Sequence, residues 1–270
     1  MHEITGRRDL AENITEITVK APQVAKNAKA GQFIVLRVDE RGERIPLTLY
    51  DWDEREGTLD LVFLQVGLST KKLASLKKRE YLSDLVGPLG KAFPIKKYGK
   101  VACVGGGVGV PAIYPIAKAL RQAGNKVTSI IGARCNELLI LQGEMESASD
   151  NLKVCTDDGS CGVKGFVTQV LEGMLDELDL VVAVGPVKMM QAVAELTRGK
   201  VKCLVSLNPI MVDGTGMCGA CRVVVDGKVK FACVDGPDFD AHKVDFENLW
   251  NKNSQYVEQE KHAVKCWEKK

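Results

Sequence analysis

Hydrophobic and polar positions follow a short, strand-like rhythm over residues 1–98. Runs of seven or eight residues rich in Val, Ile, Leu and Thr recur there, separated by glycine and charged turn residues, at residues 14–21, 32–38, 45–51 and 59–66. Short strands at this spacing predict a small β-barrel. Residues 69–76 predict a single helix, with Ser69 as its N-cap.

The rhythm changes after residue 98, where apolar runs of strand length alternate with stretches of helical length. Strands are predicted at residues 101–104, 127–131, 154–156, 180–184 and 203–207, and helices at residues 111–122, 137–146, 164–174 and 186–197. This alternation indicates a parallel sheet with right-handed crossovers. The sequence therefore predicts a β-barrel domain at residues 1–98, an α/β parallel-sheet domain at residues 99–208, and a short cysteine-bearing segment with a packing or interface helix at residues 209–270.

The composition is that of an ordinary globular protein, with 45% hydrophobic and 27% charged residues. Lys and Arg number 37 against 35 Asp and Glu, so neither a nucleic acid nor a membrane surface is expected as a partner. The longest uncharged run, residues 101–117, is too short and too rich in Gly and Pro to span a membrane. The charged N-terminus lacks the apolar core of a signal peptide, and we expect a cytoplasmic protein.

A glycine-rich loop follows the first strand of the α/β segment and is typical of phosphate binding. Glycines let the backbone approach a diphosphate, and the next helix offers free N–H groups. The spacing is Gly105, Gly107 and Gly109, with Val110 where the G-x-G-x-x-G pattern has its third glycine. The acidic residue expected about twenty residues later is also missing. A turn needed only for close packing therefore stays open as an explanation.

Further candidate ligand contacts stand at the carboxyl ends of the other predicted strands, where an open α/β sheet binds its ligand. These residues are Arg134, Thr156, Asp157, Asp158, Gly185 and Pro186. Taken singly, Arg134 and Asp157 are equally well explained as surface charges. The case for a nucleotide site rests on the three strand ends together.

Three cysteines cluster in the C-terminal segment with the spacing C-x2-C-x11-C, namely Cys218, Cys221 and Cys233. Asp213 stands five residues before Cys218, so the segment matches the plant-type ferredoxin spacing with Asp in the first cysteine position. Intervening glycines allow amide N–H groups to face sulfides. We predict a [2Fe–2S] cluster held by these four residues. A zinc site with three Cys and one Asp, and simple buried thiols, are the alternatives.

With these motifs in order, the chain resembles the ferredoxin–NADP reductase superfamily, in which a flavin-binding barrel precedes a nicotinamide domain. The family's flavin motif, an Arg two residues before an aromatic residue or Pro with a hydroxyl close behind, matches Arg44, Pro46, Leu47 and Thr48. An Arg can pair bidentately with the flavin diphosphate. The second flavin segment, a Gly followed by hydroxyl residues, matches Gly67, Ser69 and Thr70. Without the family, Arg44 is a solvated charge and Thr48 a strand residue.

Together with the cluster loop, the chain resembles the dihydroorotate dehydrogenase electron-transfer subunits and, more closely, the small subunits of NADH-dependent ferredoxin:NADP⁺ oxidoreductases, also called sulfide dehydrogenase beta subunits. Asp213 favours the second group, because the dihydroorotate subunits have Cys there. The resemblance implies FAD, a [2Fe–2S] cluster and NAD(H) as substrate. It also implies a larger partner subunit that carries a second flavin and [4Fe–4S] clusters and binds NADP(H), with ferredoxin reached through the complex.

The implied chemistry is hydride exchange between a nicotinamide and FAD, followed by single-electron transfer to the cluster, in an electron-bifurcating complex. Flavin is the needed adapter between a two-electron and a one-electron carrier. Hydride transfer needs no general acid or base, and we predict no catalytic residue of that kind. Arg134 suits a 2′-phosphate whereas Asp157 and Asp158 oppose one, so NADH and NADPH both stay open. A stand-alone flavin reductase and a zinc-stapled binding module are the other function classes considered.

Overall fold

The structure is a computed structural model that describes residues 1–269. Lys270, the last residue of the predicted C-terminal segment, lies outside the described residues. Within residues 1–269, no helix is both long and apolar enough to cross a membrane. The elements fall into an N-terminal unit, a middle unit and a C-terminal segment.

The N-terminal unit is built almost entirely from antiparallel strands. Its elements are β1 (His2–Ala11), β2 (Ile14–Lys20), α1 (Pro22–Ala25), β3 (Phe33–Arg37), β4 (Arg44–Thr48), β5 (Asp51–Asp53), β6 (Thr58–Leu64), α2 (Leu68–Ser75), β7 (Tyr81–Leu82) and β8 (Asp84–Leu89). Apolar residues alternate inward along β6, as its half-buried position requires. β1 was not predicted because its many polar residues leave no alternation of hydrophobic and polar positions. Ile4 is the one residue of this strand that is fully buried.

The strands of the N-terminal unit do not close into a barrel. They form a five-stranded sheet in the order β5-β6-β2-β1-β7 and a three-stranded sheet in the order β4-β3-β8. Both sheets contribute to one core that includes Ile17, Leu61, Ile34 and Leu36. The chain changes sheets after β2, after β4 and after β7. The two sheets are therefore held together by side-chain packing, because no named strand of one sheet pairs with a named strand of the other. The predicted barrel is therefore correct as an antiparallel β-unit and wrong as a closed barrel within residues 1–269.

The middle unit alternates strands and helices as predicted. Its elements are β9 (Lys100–Gly106), α3 (Val110–Gln122), β10 (Lys126–Ala133), α4 (Gln142–Ala148), β11 (Asn151–Thr156), β12 (Val163–Lys164), α5 (Val167–Glu172), β13 (Leu180–Val184), α6 (Val187–Thr197) and β14 (Lys202–Ser206). All pairs among these strands are parallel. β13 is buried at every position, as expected for a parallel strand covered on both faces. The helix predicted at residues 137–146 is wrong in its first half, because Leu141 adopts φ +56° and the helix begins only after it.

The C-terminal segment completes the same sheet. It contains β15 (Arg222–Val225), β16 (Lys228–Phe231), α7 (Ala232–Asp235), β17 (Asp238–Asp240), α8 (Phe246–Asn253) and α9 (Val257–Glu268). β15 and β16 form a hairpin, and β17 pairs antiparallel with β14. The full sheet order is β12-β11-β10-β9-β13-β14-β17. The segment is therefore continuous with the middle unit rather than a separate appendage.

Two apolar layers cover the two faces of this sheet, and each includes residues of other units. On the face of α3 and α4, Tyr50 and Phe93 of the N-terminal unit join the core. On the face of α5 and α6, the core includes Val35 of β3 and the cluster residues Cys221 and Cys233. Burial of apolar area is the main stabilising term in folding. The three parts of the chain are consequently packed against one another through shared cores.

One buried carboxyl group stands where these parts meet. Asp238 is the first residue of β17, opposite Ser206, and a Cβ on Gly31 of the N-terminal unit would lie 3.1 Å from its Oδ2. Both carboxylate oxygens are buried and accept no hydrogen bond, although the residue as a whole is half-buried. Burial raises the pKa of Asp238 to about 7, and the Ser206 hydroxyl opposes this shift without completing a hydrogen bond.

We expect Asp238→Asn to flatten the pH dependence of stability. A carboxyl whose folded pKa is raised is neutral at low pH in both states, and it destabilises the fold as pH rises from its unfolded value of 3.8 towards about 7. The wild type should lose up to about 4 kcal/mol of unfolding free energy over that range through this group. Urea unfolding at pH 5 and pH 8 measures the part of this loss above pH 5, about 3 kcal/mol, with the exposed Asp176→Asn as control. Equal losses in wild type and Asp238→Asn would contradict the expectation.

Candidate functional site: a nucleotide edge beside a cysteine loop

The register of the parallel sheet brings the predicted nucleotide residues to one edge. Gly105 lies opposite Val184, Gly106 opposite Gly132, and Ala133 opposite Thr156. Because parallel strands end together, the loops after β9, β10, β11 and β13 all leave from this carboxyl edge. The structure thus gathers the glycine loop and the residues that follow the other three strands.

Glycine is required at the three positions of the loop for different structural reasons. A Cβ on Gly109 would collide with the Val184 carbonyl, and one on Gly105 would lie 3.0 Å from Ile113. Gly107 has φ +53° and nothing within 4 Å of its Cβ position, so open space lies beside it. Close packing therefore explains Gly105 and Gly109. Gly107 leaves a backbone that a ligand can approach.

Thr156 and the two aspartates after it form a closed turn. The Thr156 hydroxyl donates to the Cys161 carbonyl at 2.9 Å and accepts from the Cys161 N–H at 3.0 Å. The Asp158 carboxylate accepts from the hydroxyl and the N–H of Ser160, and this hydroxyl holds the pKa of Asp158 below its usual value. Asp157 and Arg134 are exposed. Thr156 therefore shapes the loop from within, while Arg134 and Asp157 keep their charges free at the rim.

The Gly185–Pro186 turn leads directly into α6. Met189, in the first turn of α6, packs against Gly106 and Gly185: a Cβ on Gly185 would lie 2.7 Å from the Met189 methyl carbon. Gly185 is thus needed to let α6 approach β9. Sequence reasoning missed Met189, because a methionine in an amphipathic helix carries no signal that separates it from ordinary core.

The flavin-motif residues lie on β4, an edge strand of the three-stranded sheet. Leu47 packs towards the core of the N-terminal unit, so the two-residue period of a strand turns Arg44, Pro46 and Thr48 to the opposite face. Pro46 has no N–H to donate, which suits an edge strand. Arg44 Nη2 lies 3.1 Å from Asp84 Oδ2, and both side chains are partly exposed. Such a pair contributes little to stability and leaves Arg44 accessible.

The second flavin segment opens α2, with Gly67 as the N-cap. The Thr70 hydroxyl accepts from the Gly67 N–H at 3.1 Å and donates to the Gly67 carbonyl at 3.0 Å. The prediction of Ser69 as the N-cap is wrong, because Ser69 lies inside the first turn and donates to Glu43 at 3.1 Å. The backbone of this loop is therefore held in shape by Thr70.

The C-terminal helix lies beside that loop, which sequence reasoning did not foresee. Lys71 of α2 forms an ion pair with Glu268 of α9 at 2.6 Å, and the Glu260 carboxylate lies 4.0 Å from the Cβ position of Gly67. No residue of α9 is buried. The tail predicted as a packing or interface helix thus packs on α2 through charged side chains.

The cysteine loop, residues 213–221 before β15, folds around glycines with positive φ at positions 214, 216 and 219, and Cys233 approaches it from α7. Cys221 Sγ and Cys233 Sγ lie 3.1 Å apart and are buried, whereas Cys218 is exposed. The Ala220 N–H points at Cys218 Sγ at 3.4 Å, and the Cys233 N–H points at Cys221 Sγ at 3.5 Å. Burial and the neighbouring Cys221 thiol raise the pKa of Cys233. Thiol sulfurs met by backbone N–H groups are a donor set that suits an iron–sulfur centre.

Asp213 adopts the turn geometry that is one alternative for its role. Its Oδ1 accepts from the Thr215 N–H at 2.8 Å and its Oδ2 from the Cys218 N–H at 2.7 Å. The Thr215 amide is the main cause that lowers the pKa of Asp213, which keeps the carboxylate ionised. The negative charge of Asp213 also contributes to raising the pKa of Cys233. Within residues 1–269, no group of three or more His, Cys, Asp or Glu side chains is already gathered at metal-binding distances.

Comparisons with known proteins identify the chain's relatives. Residues 208–245 match the family described as the iron–sulfur cluster binding domain of dihydroorotate dehydrogenase B. The chain is 48% identical over 264 residues to a dihydroorotate dehydrogenase B electron transfer subunit homolog of Thermotoga maritima, covering 97% of this chain and 93% of that one. It is 34% identical over 250 residues to the corresponding subunit of Geobacillus thermodenitrificans, covering 89% and 96%.

The chain belongs to the dihydroorotate dehydrogenase B electron-transfer-subunit family. Among solved structures, it is similar to an NADH-dependent reduced ferredoxin–NADP oxidoreductase studied for flavin-based electron bifurcation, with TM-score 0.94, 46% identity, and coverage of 99% of this chain and 98% of that chain. Phthalate dioxygenase reductase, at 17% identity and TM-score 0.61, shares the fold. The predicted resemblance to the ferredoxin–NADP reductase superfamily and to its bifurcating branch is confirmed.

The family membership also confirms the predicted class of activity. This is a subunit of an NAD(P)H-dependent flavin and iron–sulfur oxidoreductase, with FAD, NAD(H) and an iron–sulfur cluster as its redox groups. The iron–sulfur match over the cysteine loop removes the zinc alternative. The curated relatives are themselves named electron transfer subunits, that is, parts of larger enzymes.

Proposed function

We propose that this chain is the small subunit of a cytoplasmic, electron-bifurcating NADH-dependent ferredoxin:NADP⁺ oxidoreductase. It exchanges hydride between NAD(H) and FAD and passes single electrons through a [2Fe–2S] cluster to a larger subunit, which carries a second flavin and [4Fe–4S] clusters and binds NADP(H). Ferredoxin is reached through that complex. Nine free cysteines, none of them paired in a disulfide within residues 1–269, suit a reducing compartment.

The observation that carries the proposal is the contact between the cysteine loop and the flavin-motif unit. Gly214 has φ +74°, and a Cβ there would lie 2.6 Å from Leu89 and 3.0 Å from Val35. Leu89 and Val35 belong to β8 and β3 of the three-stranded sheet, in which β3 pairs directly with β4. The loop is therefore packed within one side-chain layer of the sheet that carries the flavin motif. Short separation of the two groups is what sequential electron transfer requires.

The N-terminal unit, residues 1–98, offers a surface that fits FAD. We assign Arg44 to the diphosphate and Thr48 to the edge of the isoalloxazine ring, with Pro46 beside the ring and the backbone of Leu47 on the same edge strand. Ser69 and Thr70 supply backbone N–H groups at the start of α2, and the Thr70 hydroxyl holds Gly67 in the shape that presents them. Bound FAD would supply the conversion between two-electron and one-electron transfer.

The middle unit, residues 99–208, offers the nicotinamide site at its carboxyl edge. We assign Gly107 to the diphosphate approach, with Gly105 and Gly109 keeping the loop tight. Arg134, Asp157 and Asp158 border the ribose end on a loop that the buried Thr156 holds in shape, and Gly185 and Pro186 border the nicotinamide end. At this rim the exposed Arg134 attracts an added 2′-phosphate and the exposed Asp157 and Asp158 repel it.

Residues 209–270 carry the cluster, with Asp213, Cys218, Cys221 and Cys233 as the proposed ligands. Cys218 is exposed, and the neighbouring Met217 is 84% exposed. An exposed ligand beside an exposed large apolar side chain is a feature of a docking face. This rim is where we expect the larger subunit to receive electrons.

A dihydroorotate dehydrogenase electron-transfer subunit is the second candidate, favoured by the curated relatives and by the match over residues 208–245. Asp213 in the first ligand position favours the bifurcating enzyme. Co-purification from the native source, followed by anaerobic assays of the complex, separates the two. The proposal expects a partner with flavin and [4Fe–4S] clusters, and NADP⁺ reduction that needs NADH and reduced ferredoxin together. A partner that oxidises dihydroorotate with NAD⁺ would establish the alternative.

Arg44→Ala should weaken FAD retention several-fold without unfolding the protein. The substitution removes the cation proposed for the diphosphate, while the exposed pair with Asp84 contributes little to the fold. Flavin content after gel filtration and the unfolding temperature of the apo chain measure the two effects. Arg41→Ala, an exposed arginine before β4, is the matched control. Full FAD retention by Arg44→Ala would remove this residue from the site.

Gly107→Val and Gly109→Ala should fail in different ways. The side chain at 107 projects into open space, so it should block the approach of the dinucleotide diphosphate, at a cost in φ strain of about 2 kcal/mol that leaves the chain folded. The methyl at 109 meets the Val184 carbonyl, so it should destabilise the sheet itself. Stopped-flow reduction of bound FAD by NADH, compared with reduction by dithionite, separates the two. Unimpaired NADH reduction in Gly107→Val would contradict the assignment.

If Asp213 is a cluster ligand, its replacement should change the electronic properties of the cluster. An oxygen ligand is harder than a thiolate, so Asp213→Cys should keep a [2Fe–2S] centre with an altered paramagnetic resonance spectrum and potential. Asp213→Ala should assemble poorly, and Cys218→Ala more poorly still, because it removes a thiolate. Iron and acid-labile sulfide content quantify assembly. Unchanged content, spectrum and potential in both Asp213 variants would mean that the carboxylate only forms the turn.

A further inference from the structure

Lys252, in the last turn of α8, reaches the backbone on both sides of a buried cluster cysteine. Its ammonium donates to the Ala220 carbonyl at 2.8 Å and to the Arg222 carbonyl at 2.7 Å. Cys221 lies between these residues, and its own carbonyl accepts from the Ala232 N–H at 3.1 Å. All three carbonyls around the ligand are thereby held, so the backbone of Cys221 is fixed from two sides.

The helix that presents Lys252 is itself firmly anchored. Phe246 and Leu249 are buried in the core on the α5 and α6 face, and the Asp245 side chain caps the helix by accepting from the Asn248 N–H at 2.9 Å. On its outer side, Trp250 lies under the Lys188 ammonium of α6, 5.0 Å from the ring centroid. The ammonium of Lys252 therefore reaches the loop from a helix fixed to the middle unit, not from a mobile tail.

The same residues that hold the loop carbonyls also bring positive charge to the cluster site. Arg222 Nη1 donates to the Gly219 carbonyl at 2.7 Å, so two cations bind the outward side of the loop. The Ala220 N–H points the other way, towards Cys218 Sγ at 3.4 Å. Burial, followed by the repulsion of Arg222, lowers the pKa of Lys252, and the charge of Cys221 opposes this. The ammonium is thus partly desolvated and electrostatically coupled to a cluster ligand.

We propose that Lys252 is a positioning residue of the iron–sulfur site that fixes the Cys221 backbone and raises the reduction potential of the cluster. This inference rests on the proposed function, because it presupposes a [2Fe–2S] centre on the loop. A neutral side chain with two N–H groups could donate the same number of hydrogen bonds to the two carbonyls. The cation adds a field that stabilises the reduced, more negative cluster, and hydrogen bonds and charge around the sulfurs are known means of setting such potentials.

Lys252→Gln and Lys252→Arg separate charge from contact. Lys252→Gln retains a donor but loses the charge, so the cluster midpoint should fall by about 60 mV, a tenfold change in the one-electron equilibrium. Lys252→Arg retains both and should keep the wild-type midpoint. Lys243→Gln is the matched control, because Lys243 lies in the same segment but pairs with Asp226 at the β15–β16 turn. The measurement is a paramagnetic-resonance redox titration of the purified FAD-containing chain, with the flavin potential expected to stay unchanged.

The outcomes assign failure to one proposal or the other. A wild-type chain without a [2Fe–2S] signal would overturn the proposed function. A wild-type signal with an unchanged midpoint in Lys252→Gln, or an equal fall in Lys252→Arg, would overturn the role of Lys252 alone. If Lys252→Gln retains no cluster, the apo chain decides: an unfolding temperature equal to that of the wild-type apo chain supports action on the cluster. A clearly lower unfolding temperature of the Lys252→Gln apo chain would instead show that Lys252 acts only in folding.

Discussion

The contact of Gly214 with Leu89 and Val35 constrains the rest of the molecule. It holds the loop with the proposed metal ligands against the sheet that carries the flavin motif, at a distance that leaves no room for a Cβ. The loop can lie there only because the following chain turns back as a hairpin and then joins the parallel sheet through β17. The sheet with the flavin motif, the seven-stranded sheet and the cysteines of the C-terminal segment therefore meet at one junction, because they share one apolar core.

The division of labour at that junction follows from electron count rather than from acid–base chemistry. Hydride transfer needs aligned rings, and electron transfer needs short distances, so both are matters of position. Tight glycine contacts and shared apolar layers accordingly fix the relative positions of the three parts. The buried, unpartnered carboxyl of Asp238 is the exception, because it keeps a titratable group at the point where the parts touch. A stand-alone flavin reductase would need neither the loop nor this junction.

Much of this architecture could be predicted from the sequence because its signals are local. The uninterrupted apolar run of β13 and the loop between β9 and α3 need no distant information. The cluster spacing is equally local. The features that could not be predicted depend on tertiary contacts. They are the open arrangement of the two N-terminal sheets, the pairing of β17 with β14, and the position of α9 against α2. The glycine loop illustrates both, since its pattern is visible in sequence but the different tasks of Gly107 and Gly109 appear only from their surroundings.

The placement of β17 also has a consequence for how the protein is made. Asp238 follows Cys233, the last thiol of the loop, by five residues. During synthesis, the ribosome therefore delivers every cluster ligand before the strand that covers the exposed edge of β14. A nascent chain whose loop has not closed keeps that edge open, and open sheet edges invite wrong pairing. Delivery of iron and sulfide early after translation would thus protect the newly made chain from aggregation, which links the yield of folded protein to the supply of metal.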